Sequence, residues 1–238
     1  MSYYKDIYND FPLRCGKLWI KLREQAKDKK LDVTFMLMTA SGGLVTPWEH
    51  LKHNALGSDE EKRQPAFTPG NDEHYKEVLK AFTRAIDCAP AKSPLFRNLD
   101  IDQWKIRQLY KANEIINYVQ NPDESIGRPY HLNSARDIIK IFRNALAHNN
   151  FHAFNRSGAT EIDEIAFFSE DLGDYNEKTK RRDIQGYNVV SIPHIDFSEF
   201  LDEWFKLLKN IGLSKEYYRK ILMYYPQEQE ASQSHAAN

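Results

Sequence analysis

Cysteine is scarce in this chain. Only Cys15 and Cys88 occur among 238 residues, too few for a disulfide framework and at no metal-ligand spacing, which fits two buried thiols in a reducing cytoplasm. Net charge is nearly missing too. The 33 basic residues meet 34 acidic ones and leave −1, so the whole chain lacks the positive field of an unspecific nucleic-acid binder, and any such contact needs a local patch. No apolar run is long enough to span a bilayer, and the most apolar stretch, Val33 to Val45, reads as core, so no membrane partner is expected. The opening MSYYKDIYND lacks the apolar segment of a signal peptide, and a cytoplasmic location is the expectation. A glycine-rich phosphate loop, an HExxH pair and a nucleophile elbow are all missing, which leaves ordinary nucleotide-hydrolase readings without support. The spacings of His148 with His152 and of His50 with His53 suit helical metal ligands, but no cysteine pair or acid completes either set. Surface or capping histidines explain them better, and neither a metal nor a cofactor is expected.

What is present is enough for one core. With 41% apolar and 13% aromatic residues, the chain reads as a single domain over residues 1–225, followed by a disordered tail over 226–238, PQEQEASQSHAAN. Phe11, Cys15, Leu18, Trp19, Leu22 and Ala26 recur at helical intervals in residues 10–30. Leu31 to Leu51 is apolar nearly all round and suits a central helix, although Gly42-Gly43 weakens its continuity and Pro47 could open a new turn. Residues 57–71 are polar and carry Pro65 and Pro69, which marks a loop. Helical periodicity resumes from Tyr75 to Ile86, until Pro90 and Pro94 end it. A further helix is expected from Ile101 to Val119, burying Trp104, Leu109, Ile115, Ile116 and Val119.

Ser134 followed by Asp137 resembles a capping box and opens a helix that should end near Asn149-Asn150. Beyond it, Ile162–Phe168 and Tyr187–Ile192 read as a two-stranded hairpin, about residues 160–193, whose long connection holds Lys178, Lys180, Arg181 and Arg182. That basic cluster reads as a solvated loop before it reads as an RNA contact. A last helix is expected from near Asp196, burying Phe197, Phe200, Leu201, Trp204, Phe205, Leu208 and Ile211, with Gly212 as its cap.

Wound at 100° per residue, the stretch from Leu132 to His148 separates into two arcs. Leu132, Ala135, Ile138, Ile139, Phe142, Ala145 and Leu146 lie on one, and Arg136, Asp137, Lys140, Arg143, Asn144 and His148 on the other. Asn144 and His148 are nearly superposed along the axis, while Arg143 lies at the far edge of the polar arc. An imidazole passes protons near neutral pH and a guanidinium grips phosphate oxygens, so the face suits phosphate chemistry. Metal-free RNA cleavage needs a base, an acid and a cation. One helix offers only one motif histidine, which makes a second copy the natural complement. By spacing alone these side chains are also what any amphipathic helix shows to solvent.

Arg143-Asn144-Ala145-Leu146-Ala147-His148 resembles the R-x4-H motif of the HEPN superfamily, with a polar residue directly after the arginine. The surrounding order resembles a branch of that superfamily with a hairpin after the motif helix, and the segment from Leu37 to Glu49 resembles its early core helix, so the likeness covers most of residues 10–212. The resemblance implies a mainly α fold, a HEPN-like helical bundle with a small inserted two-stranded β-hairpin. It also implies a homodimer formed through the motif helix, and a metal-independent endoribonuclease of the kind found among toxins and antiviral defence proteins. Arg143, Asn144 and His148 would be catalytic, Arg136 and Lys140 would contact RNA, and an antitoxin or other regulatory protein is a possible partner. Other members have lost catalysis and serve as modules that bind RNA, a nucleotide or a protein. The group whose motif histidine is followed two residues later by tyrosine has Asn150 here, so regulation through such a tyrosine does not carry over. Tyr130 and His131 precede the motif helix and could approach the same cleft, although a core role suits Tyr130 better.

Overall fold

The computed structural model describes residues 7–55, 73–120, 126–155, 161–177 and 180–211. The expected polar loop and the C-terminal tail fall outside them, as does Gly212. Six α-helices and five strands are described: α1 (Ile7–Asp28), α2 (Asp32–Ala55), α3 (Glu73–Ile86), β1 (Lys105–Leu109), α4 (Ala112–Gln120), β2 (Arg128–Pro129), α5 (Ala135–His148), β3 (Phe151–Phe154), β4 (Glu164–Asn176), β5 (Arg181–Pro193) and α6 (His194–Asn210). No helix among the described residues is long and apolar enough to cross a membrane.

The central helix is unbroken through Gly42-Gly43 and Pro47. Its two glycines are there for close approach, since a Cβ on Gly42 would stand 2.7 Å from the Phe11 ring and one on Gly43 2.5 Å from the Phe205 ring. Pro47 has no N–H, which leaves the carbonyl four residues earlier without its helical donor. That carbonyl belongs to Gly43, and the buried Trp204 indole donates to it at 2.9 Å. α2 and α6 are thus joined at the point where the helix would be weakest. Gly43→Ala should force Phe205 aside and lower stability by roughly 1–3 kcal/mol. Urea unfolding measures this, and an unchanged midpoint would contradict the close contact.

The small hairpin is in fact part of a five-stranded antiparallel sheet of order β2-β1-β5-β4-β3. Two sequence expectations fail here. The helix over 101–119 is a 3₁₀ turn at Ile101–Gln103, then strand β1, then α4. Ile106 and Leu109 are three apart and look helical, but β1 gains its hydrogen bonds by pairing with β5, Arg107 opposite Val189 and Gln108 opposite Asn188. Pairing therefore overrides local pattern. Trp104 and Leu109 are buried as expected, whereas Ile116 is 56% exposed and Tyr118 is the buried residue of α4. The second failure is the polar connection, most of which is strand: β4 and β5 run on as a ribbon with register shifts at Asp171/Leu172 and Leu172/Tyr175.

One large core fills the space between the helices and one face of the sheet, and a smaller one, Leu109, Tyr118, Ala166, Phe168 and Val189, lies on the other face under α4. Phe142 on α5 is the hub of the first. Its ring centroid lies 4.8 Å from that of Phe167, 5.3 Å from Phe197 and 5.2 Å from Phe200. α6 starts at His194, two residues before Asp196, and buries the expected aromatic face. α1 buries Cys15 and Trp19 but leaves Leu18 and Leu22 exposed at its edge. Burial pushes the Cys15 thiol up to about 11, so it stays protonated. Cys88 is only half-buried, and both cysteines are free.

Candidate functional site on the motif helix

α5 is held at both ends. The Ser134 Oγ accepts from the Asp137 N–H, and the Asp137 carboxylate accepts from the Ser134 N–H at 3.0 Å, completing the expected capping box. The Ala135 N–H donates to the Cys88 carbonyl at 2.9 Å and pins this end to the turn after α3. At the other end Asn149 takes a left-handed φ of 54°. The Asn150 N–H then returns to the Ala145 carbonyl at 2.8 Å, while its own carbonyl accepts from Phe168 of β4 at 2.8 Å. The reach of the motif is therefore set by β4.

Half of α5 is buried, including Ile141 at 4% exposure, which was on neither arc of the sequence reading. The apolar arc is wider than expected because α2 packs on one side and β4 on the other. What remains accessible is a narrow strip, with Lys140, Ala147 and His148 exposed and Arg143 and Asn144 half-buried.

The motif residues come together in a cavity of about 370 Å³ between α5 and β4, lined by Arg143, Asn144, His148, Asn150, Phe168, Ser169, Glu170 and Leu172. Arg143 is firmly placed. One Nη donates to the Asn144 Oδ1 at 2.7 Å and the other lies 2.6 Å from the Glu49 carboxylate on α2, while its buried Nε–H has no hydrogen-bond partner. Asn144 in turn donates through Nδ2 to the Ser169 hydroxyl at 2.9 Å. It therefore ties the guanidinium to the sheet and holds its orientation. His148 is different: its side chain is exposed, and no hydrogen bond or ion pair engages it among the described residues.

The two expected RNA-contacting residues part company. Lys140 is exposed and lines a second cavity, of about 310 Å³, that shares Asn144, Ser169, Glu170 and Leu172 with the first. Arg136 lines neither; it forms an ion pair with Asp87 at the end of α3. Tyr130 lines the second cavity, half-buried, and burial, then the nearby Asp171 and Asp137 charges, raise its pKa and keep the phenol neutral. His131 lines a separate groove of about 810 Å³ beside Trp104 and Ile106. His152 does not extend the helix; it lies in β3, its ring 5.6 Å from that of Phe154. No cluster of three metal-ligating side chains occurs among the described residues.

Sequence reasoning missed Glu49 and Ser169, the two residues that fix the motif. A signal existed for the first, because Glu49 is one of only two acids in α2 and sits deep in an apolar helix, where a carboxylate needs a partner. Ser169 carried none beyond its place at the end of an apolar strand.

No curated protein and no solved structure matches the chain. One family model does, that of HEPN pEK499 p136, and it matches residues 1–215, a span that includes every described helix and strand. The chain belongs to this HEPN family.

Proposed function

We propose that the chain is a metal-independent endoribonuclease of HEPN type that acts as a homodimer through α5, in the manner of a toxin or defence ribonuclease. The observation that carries this reading is the pairing of an exposed His148, unengaged among the described residues, with a guanidinium held in place beside it in one cavity. In the reaction a 2′-hydroxyl loses its proton to a base and attacks the adjacent phosphorus, the bond to the 5′-oxygen breaks, and that oxygen takes a proton from an acid. His148 of one copy serves as base and His148 of the other as acid, so that no net proton is consumed. Arg143 meets the charge on the non-bridging oxygens through the N–H groups that Glu49 and Asn144 leave open. Asn144 acts as a positioning residue for Arg143.

The second reading, a silent HEPN module that binds RNA, a nucleotide or a protein, is favoured by one contact: the Glu49 carboxylate already neutralises Arg143. Incubating the full chain with mixed RNAs in excess EDTA separates the two. Cleavage is expected, and intact RNA together with tight capture of an oligonucleotide would favour the silent module.

A further inference from the structure

The second cavity along α5 holds more than the motif requires. Lys140, Asn144 and His148 stand four residues apart on one stripe, so Lys140 lies about 12 Å along the axis from His148, the span of about two nucleotides of extended strand. Arg182 of β5 lines the same cavity and is also exposed, and neither it nor Lys140 has an ion pair among the described residues. Two of the three acids in the lining are held by protein donors. Asp137 accepts from the Asn133 and Ser134 N–H groups and the Ser134 hydroxyl, and Asp171 accepts from the Gln108 amide at 2.6 Å. Glu170 is the remaining one and is exposed to solvent. The cations thus have no carboxylate locked onto them.

The floor tells the same story. Ile165, Phe167, Val190 and Ile192 belong to the main core, but further along this face the strands carry Ser169, Asn188 and Gln108, paired across the sheet as Ser169 with Asn188 and Asn188 with Gln108. Ser169 and Gln108 are both hydrogen-bonded, whereas the buried Asn188 Oδ1 has no partner. A buried acceptor without a donor is costly unless a ligand or water supplies one.

We propose that this cavity seats a nucleotide flanking the scissile phosphate of single-stranded RNA, its phosphate between Lys140 and Arg182 and its base edge against Asn188. This rests on the ribonuclease reading and adds a subsite to it. An Asn amide, an acceptor beside a donor, pairs with the adjacent donor and acceptor on the edge of adenine, cytosine or uracil, so this contact holds a base without choosing among the three. Tyr130 also lines the cavity and offers a neutral ring that can stack on the base.

The test uses the full chain and short oligoribonucleotides. Two quantities are followed: cleavage kinetics, and salt-dependent binding of a 2′-O-methyl analogue that cannot be cut. Lys140→Ala and Arg182→Ala should each raise KM by roughly tenfold with little change in kcat, and each should reduce the slope of log affinity against log salt by about 0.7. Asn188→Leu should raise KM by roughly tenfold while leaving the salt slope unchanged, because it removes a hydrogen bond and no charge. Cleavage with KM unchanged in all three variants, and the salt slope unchanged in Lys140→Ala and Arg182→Ala, would overturn the subsite while leaving the ribonuclease reading intact. If the wild type binds the analogue but cuts nothing, the ribonuclease reading fails. The binding arm then decides the subsite alone: loss in Lys140→Ala and Arg182→Ala supports it, and unchanged binding overturns it.

Discussion

His148→Ala is expected to lower the rate of RNA cleavage by roughly 10²- to 10⁴-fold while leaving Tm where it was. Both halves follow from the geometry. The side chain is exposed and engages nothing among the described residues, so its removal leaves no buried group unpaired, and surface changes of that kind stay within about 0.5 kcal/mol. Any large loss of rate then belongs to proton transfer. Arg143→Ala is a poorer probe, because it strips Glu49 and Asn144 of their shared partner and lowers stability along with activity. A His148→Ala protein that cleaves at the wild-type rate would remove the imidazole from the mechanism, whatever the family.

The largest stability effect lies one residue before the motif arginine. Phe142 is fully buried, with the Phe167, Phe197 and Phe200 rings around it and Trp104 at 6.3 Å, so truncation opens a cavity at the meeting point of α5, the sheet and α6. Four rigid rings cannot close such a gap. Phe142→Ala should therefore cost about 3–5 kcal/mol, a large share of the 5–15 kcal/mol that holds a typical domain together. Chemical denaturation at equilibrium measures it directly. A loss below about 1 kcal/mol would mean that α5 is not anchored as described.

The motif helix was the most legible part of the chain, because its signals are local. Ser134 and Asp137 announced the start, the apolar spacing gave the buried face, and Arg143 and His148 stood at fixed positions on the helix that family resemblance could recognise. α6 was legible for the same reason, through its dense aromatic periodicity. What failed depended on partners far away in sequence. β1 is a strand because β5 is beside it, and nothing within Lys105–Leu109 says so. The outer halves of β4 and β5 form a ribbon reaching past the cores, so residues such as Leu172 and Ile184 are exposed there and the alternation that marks a strand is missing. The site followed the same division. Its catalytic candidates could be named from six consecutive residues, whereas Glu49, Ser169 and Arg182, which hold the arginine and shape the groove, come from elements that only the fold brings to α5.

The most direct test of the account is the chemistry of the cut ends. With wild-type chain, a defined oligoribonucleotide and excess EDTA, mass spectrometry should find a 2′,3′-cyclic phosphate on one product and a 5′-hydroxyl on the other, and neither with His148→Ala. Intact RNA, a cut that EDTA abolishes, or ends carrying a 3′-hydroxyl and a 5′-phosphate would contradict it.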